Sequence, residues 1–200
     1  FFTLAENSFF FSKAMPQTAA KFLSYGCSLA RGGGLLPLKL NERNLTPEGE
    51  SLASTLYFLQ ACANLRGVAP KQFASAREYL NSLVHSLKKH SAVRLRGGLL
   101  YAPANYGWTD TVANGVPTRV PQAWRGNAGE RIALVELNAL WVRLLKDFES
   151  PLFQEALEAF REVFGKPPFA HAARLDGSLD FTASSHALYA AVQLSKFKSQ

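Results

Sequence analysis

The sequence has little cysteine, no long apolar run and no grouped metal ligands, and each shortage narrows what the chain can be. It contains two cysteines in 200 residues. Cys27 and Cys62 each lie in an apolar, helix-like segment without metal-ligand spacing, which argues against a cysteine-built metal centre. They read as small buried hydrophobes in a reducing compartment; sequence leaves a disulfide between them open as the alternative. No apolar stretch reaches the roughly 18 residues that a bilayer span needs, so no membrane partner is expected. The opening Phe1-Phe2-Thr3-Leu4-Ala5-Glu6 has no initiator methionine, no basic n-region and no small-residue cleavage site. The expectation is a cytoplasmic chain cut from something longer. His85, His90, His171 and His186 are scattered without ligand spacing and read as ordinary surface or core residues. Ser184-Ser185-His186 lacks the glycines of a nucleophile elbow, so no serine hydrolase is read from it.

What is present is an apolar, aromatic chain. Hydrophobic residues at 48% and aromatics at 12% exclude a disordered protein. Two hundred residues suffice for one ordinary domain or for a piece of a larger one. The formal charge of +7 raises the question of a nucleic-acid partner. The basic residues are dispersed, however, and the densest group, Lys88-Lys89-His90 to Arg94 and Arg96, falls at a helix end. Cations are favourable there beside the negative pole of the dipole. No nucleic-acid partner is therefore expected; an acidic or phosphorylated one is the alternative.

Helical periodicity dominates, with long connections between helices. Helices are expected over Gln17 to Ala30, stopped by Arg31-Gly32-Gly33-Gly34; over Glu48 to Leu65; and over Lys71 to His90, opened by Pro70. Arg131 to Glu149 is apolar on both sides and should be deeply buried. Pro151 to Gly165 and Ser184 to Phe197 complete the set. Leu35 to Leu40 contains Pro37 and reads as an extended connection. The stretch from Arg94 to Glu130 carries many glycines and prolines and is no regular helix. A loop this long in a compact domain is ordinarily functional or disordered, and Tyr101, Tyr106, Trp108 and Trp124 argue for order. Leu175 to Asp180 reads as a turn, with Asp176 and Asp180 as caps. With no convincing paired strands and no tandem repeat, the fold class is all-α.

Two constellations carry chemistry. Asp110 stands beside Trp108, with Tyr101 and Tyr106 upstream. An aromatic face covers the C–H face of a pyranose, and a carboxyl that loses hydration against an indole stays protonated for donation to a glycosidic oxygen. Taken alone, an aspartate in a loop is more often a turn former or cap. The second constellation is Glu136-Leu137-Asn138-Ala139-Leu140-Trp141. A charge at Glu136 inside an apolar helix needs a partner, for which Arg119 and Arg125 are candidates. Either Glu136 ties loop to helix, or Glu136 and Asn138 line a polar pocket. Trp141, three residues from Asn138, reads as core before sugar platform.

The order Gly107-Trp108-Thr109-Asp110, Pro117-Thr118-Arg119, Gly129, Val135-Glu136-Leu137-Asn138-Ala139-Leu140-Trp141 resembles the amylo-α-1,6-glucosidase domain of glycogen debranching enzymes. Gly34-Leu35-Leu36-Pro37 and Ser51 to Phe58 are similar to earlier segments of that family, and the Asn-Ala-Leu-Trp match is the most specific. The resemblance implies a six-hairpin (α/α)6 toroid that hydrolyses α-1,6-linked glucose with inversion, without metal or organic cofactor. It implies Asp110 as general acid, with Trp108, Tyr106, Arg119, Glu136, Asn138 and Trp141 about the substrate. The family's second catalytic carboxylate lies downstream of the last matched helix, beyond Gln200. Its early Trp-Gly-Arg-Asp segment is absent; Leu38, Thr109 and Thr111 also depart from its pattern. Residues 1–200 are therefore expected to form a single incomplete toroid domain with no internal linker, acting on an α-glucan or branched oligosaccharide. Its other expected partner is the rest of the barrel or a second copy. The competing readings are a non-catalytic glycan-binding or structural fragment, and another toroid glycosidase of trehalase or glucoamylase type.

Overall fold

The chain was studied as a computed structural model that describes residues 1–37, 39–40, 47–103, 112–113, 116–117, 131–166, 170 and 172–181. For residues 39–40, 47–48, 112–113, 116–117 and 180 it describes the backbone alone. Contacts divide the chain into two compact units, Phe1–Leu87 and Lys88–Gln200.

The first unit is helical. It contains α1 (Phe2–Glu6), α2 (Ser8–Ala14), α3 (Pro16–Leu29), α4 (Leu52–Asn64) and α5 (Pro70–Leu87). Two helices open on prolines, whose fixed φ suits a first turn and whose missing N–H would be unbonded there anyway. After α3 a short 3-10 turn, Ala30–Gly32, ends on Gly33 in the left-handed region at φ +70°. Helix α4 is apolar all round, and every side chain from Thr55 to Ala63 is buried. Such a helix belongs at the centre of a unit, and α1, α3 and α5 pack against it. It starts at Leu52, later than the sequence suggests. The Ser51 hydroxyl oxygen accepts the Ser54 N–H at 3.0 Å, a cap that fixes the first turn. Upstream, β2 (Pro47–Glu48) pairs antiparallel with β1 (Lys39–Leu40).

Helices α1 and α2 are not foreshadowed by periodicity, because they bury only Leu4 and Ala5. Phe9 (79% exposed), Phe10 and Phe22 turn outward.

The second unit mixes helices with short strands. Strands β3 (Arg94–Arg96) and β4 (Leu99–Tyr101) form an antiparallel hairpin in the register Arg94↔Tyr101, Leu95↔Leu100 and Arg96↔Leu99. Gly97 and Gly98 turn the corner at φ +51° and +75°, the positive pair a two-residue hairpin loop demands. Strands β5 (Val112–Ala113) and β6 (Val116–Pro117) pair with each other. Strand β7 (Ile132–Leu134) joins β8 (Ala172–Arg174) and β9 (Leu179–Asp180) in an antiparallel sheet of order β7-β8-β9. Helix α6 (Val135–Asp147) follows β7 directly and is buried from Val135 to Leu145. Helix α7 (Phe153–Phe164) lays Ala156, Phe160 and Phe164 inward along one stripe and packs on α6 and β4.

The described residues are thus mostly helical, as expected, but paired strands are present where none was expected. Each is two or three residues long, too short for apolar alternation to show. The helix expected from Arg131 begins at Val135, since Ile132–Leu134 is hydrogen-bonded to β8. The expected helix over Ser184 to Phe197 lies outside the described residues. No described helix is long and apolar enough to cross a membrane.

Candidate functional site

The expected chemistry falls on the connection after β4 and on α6, both in the second unit. Strand β4 continues into Ala102, which pairs with Ile132: the Ala102 N–H donates to the Ile132 carbonyl at 3.0 Å, and the Ile132 N–H returns to Ala102 at 2.9 Å. The two ends of the connection between β4 and β7 are therefore held together at Ala102 and Ile132. Arg131 strengthens that junction. Its Nε donates to the Ala92 carbonyl at 2.8 Å, and its guanidinium also donates to the Ser91 carbonyl. The same Ser91–Val93 corner is held by His90, whose Nδ1 accepts the N–H groups of Ala92 and Val93 at 3.1 and 3.0 Å. That gives His90 a local structural role, in keeping with the sequence reading.

Asn138 locks the hairpin onto α6. Its Oδ1 accepts the Leu100 N–H at 2.7 Å, and its Nδ2 donates at 3.0 Å to the Leu100 and Leu134 carbonyls. A side-chain amide offers two donors and one acceptor group, and here all are directed at backbone. A three-residue strand leaves the peptide of its middle residue without a second strand neighbour, and Asn138 fills that need. Three residues on, the Trp141 indole Nε1 donates to the Gly98 carbonyl at 3.1 Å. Asn138 and Trp141 are both 0% exposed. The structure places both under the hairpin as supports, without a face on open solvent.

Gly98 completes this arrangement, and sequence reading treated it only as a helix breaker. A Cβ there would lie 2.6 Å from the Ala156 Cα, so the hairpin turn rests directly on the backbone of α7. Its φ of +75° separately favours glycine. Next to the turn, burial pushes the Tyr101 phenol above its ordinary pKa, while the Arg96 cation pulls the other way.

Glu136 differs from its helix neighbours. It is 2% exposed in the first turn of α6, where the positive pole of the helix dipole favours a carboxylate, and it has an interaction partner. Arg119 and Arg125, the partners anticipated from sequence, lie outside the described residues, as do Tyr106, Trp108 and Asp110. Farther along α6, Arg143 and Asp147 pair at 3.3 Å, one turn apart.

No family model, curated protein or solved structure matches this chain. Among the described residues no group of three or more histidine, cysteine, aspartate or glutamate side chains is placed to hold a metal ion.

In the first unit, Gly34 to Pro37 and Ser51 to Phe58 are brought together. The Leu36 N–H donates to the Thr55 hydroxyl at 2.8 Å, and that hydroxyl donates to the Ser51 carbonyl at 2.8 Å. The Ser51 N–H donates back to the Leu36 carbonyl at 2.9 Å. Gly34 to Pro37 is thereby fastened to the N-terminus of α4. The Gly34 carbonyl also accepts the Tyr79 hydroxyl at 2.6 Å.

Proposed function

We propose that the chain is part of a glycoside hydrolase that cleaves α-1,6-linked glucose from a branched α-glucan. In this reading it resembles the amylo-α-1,6-glucosidase domain of glycogen debranching enzymes and forms a portion of an (α/α)6 toroid. The observation that carries the proposal is the relation of the two chemical segments. The sequence segment that carries Trp108-Thr109-Asp110 lies between Ala102 and Ile132, which pair with each other, and α6, with a buried carboxyl at Glu136, begins immediately after β7.

The residues then divide by task. Asp110 donates a proton to the glycosidic oxygen; Trp108 and Tyr106 cover the sugar face and keep the acid poorly hydrated, hence protonated. Arg119 and Glu136 bind hydroxyls or orient one another. Asn138 and Trp141 hold the hairpin that leads into Ala102, a supporting task in place of direct sugar contact. Inversion needs a second carboxylate to activate water on the opposite face, and the family resemblance puts it downstream of Gln200. The other expected partner, the rest of the barrel, would supply it.

The test is glucose release from a branched limit dextrin by the 200-residue chain and by a longer chain that includes flanking coding sequence. Release that disappears in Asp110→Asn supports the proposal, in the longer chain as much as in the shorter. Absence of release from both, with glycan binding retained, would overturn it in favour of a non-catalytic glycan-binding module.

A further inference from the structure

Gly26 lets α3 approach α4 closely in the first unit. A Cβ at this position would lie 2.4 Å from a ring carbon of Phe58 and 2.8 Å from the ring of Phe1. Only a residue without a side chain lets the helices meet here. The next residue on α3 is Cys27, and one turn beyond Phe58 on α4 is Cys62, on the same helix face. The crossing thus brings two thiols from segments distant in sequence near enough that each shifts the other's ionisation, and the Cys27 thiol also faces the Gln72 carbonyl at 3.9 Å. Both are free thiols.

The two differ in access. Cys62 is 0% exposed within the core. Cys27 is half-buried and lines a cavity of about 380 Å³ together with Arg31, Ser75, Glu78 and Ser82. Small polar solutes can therefore reach one sulfur and not the other. The neighbouring Cys62 thiol holds the Cys27 thiol below its ordinary pKa, against an opposing effect of burial. The influence of Cys27, followed by burial, pushes Cys62 well above its own. An accessible sulfur that ionises readily, beside a protonated one in reserve, is the division of labour of an attacking and a resolving cysteine.

We propose that Cys27 is a peroxide-reactive thiol and that Cys62 resolves it, giving a reversible intrachain disulfide that ties α3 to α4. In the first step the Cys27 thiolate attacks one oxygen of hydrogen peroxide. The O–O bond breaks, Cys27 becomes a sulfenic acid, and the second oxygen leaves as hydroxide, which takes up the proton lost by the thiol and becomes water. In the second step the Cys62 sulfur attacks the Cys27 sulfur. The S–S bond forms, the S–O bond breaks, and water departs with the Cys62 proton. Two thiols are oxidised by two electrons in all, and one peroxide is reduced to two waters.

The experiment treats the reduced full chain with equimolar hydrogen peroxide, alkylates it in denaturant and maps its peptides by mass spectrometry. The chain has no third cysteine, so the assignment is unambiguous. The expected product is a cross-linked peptide pair containing Cys27 and Cys62 within one chain, restored to two alkylatable thiols by dithiothreitol. In Cys62→Ser, dimedone should trap the sulfenic acid on Cys27. Two thiols still alkylatable after peroxide, disulfides only between chains, or a dimedone adduct on Cys62 in Cys27→Ser would each overturn the proposal. A readout without substitutions guards against misfolded variants: in the reduced wild-type chain, iodoacetamide should label Cys27 at least about tenfold faster than Cys62. Equal labelling rates would overturn the assignment of roles.

Discussion

Asn138 offers the sharpest check on how α6 positions the β3–β4 hairpin. Replacing it with alanine removes the partner of the Leu100 N–H and one partner of the Leu100 carbonyl, in a residue that is 1% exposed. Each backbone group left unbonded in the interior costs ~1–3 kcal/mol, and the vacated volume adds to this, so Asn138→Ala should lose about 3–5 kcal/mol. Asn138→Asp keeps the shape and opens no cavity. Its carboxylate can still accept the Leu100 N–H, but it faces the Leu100 and Leu134 carbonyls with no proton to give. At neutral pH that uncompensated charge should cost about 3–5 kcal/mol. Protonation supplies the missing donor, so the introduced carboxyl has a folded-state pKa raised above its unfolded value of roughly 4. The folded state then holds more protons than the unfolded one above that value, and stability falls as pH rises. Relative to wild type, Asn138→Asp should recover part of its loss on going from neutral pH towards pH ~4.5. All three tryptophans, Trp108, Trp124 and Trp141, belong to the second unit. Urea unfolding followed by tryptophan fluorescence therefore reports on that unit, with midpoint and slope fitted at both pH values. A loss below about 1 kcal/mol in Asn138→Ala, or a pH-independent deficit in Asn138→Asp, would refute the reasoning.

Three further predictions concern other points of the scaffold. Gly98→Ala should cost more than about 2 kcal/mol, since it combines left-handed strain with a clash against helix backbone, whereas Gly97→Ala, which meets open space, should cost only about 1 kcal/mol. Equal losses in thermal melts of the pair would count against the hairpin seat on α7. Thr55→Val keeps the side-chain shape but strands the Leu36 N–H and should cost ~1–3 kcal/mol, while Thr55→Ser should stay close to wild type in urea unfolding. The Ser178 hydroxyl and N–H, at 2.7 and 2.9 Å, hold the Asp176 carboxyl below its ordinary pKa of 3.8. Their contribution to the β8–β9 turn is therefore present at neutral pH and fades as pH falls through the depressed value. In an NMR titration Ser178→Ala should move the Asp176 midpoint upward, and an unchanged midpoint would contradict the assigned cause.

Helices α3 to α7 were legible because their apolar period is strong, whereas α1 and α2 were not. The doubly apolar α6 follows from Val135 to Leu145 alone, whereas on α4 the spelling shows one apolar stripe and the structure buries every residue from Thr55 to Ala63. Their starts were less so, because Ile132-Ala133-Leu134 fits a buried strand and a helical turn equally well, and only pairing with β8 decides between them. The β3–β4 hairpin did carry a signal: a Gly-Gly pair between two extended runs is a hairpin turn as readily as a helix stop. Asn114-Gly115, between the paired Val112–Ala113 and Val116–Pro117, is another such signal. The inward use of Asn138 had no sequence signal, since nothing in the spelling of α6 says which backbone lies opposite. Trp141 reads as core before sugar platform from the residues alone, while the resemblance puts it about the substrate; it is fully buried. Glu136 was expected to pair with Arg119 or Arg125, and those two, like Trp108 and Asp110, lie outside the described residues.

The central claim is most directly tested by time-resolved proton NMR of the chain, or of the longer chain that includes its flanks, acting on an α-1,6-branched gluco-oligosaccharide. The account predicts that free glucose appears first as the β anomer, the product of inversion, and that Asp110→Asn abolishes the signal. No glucose from either length of chain, or glucose released first as the α anomer, would contradict it.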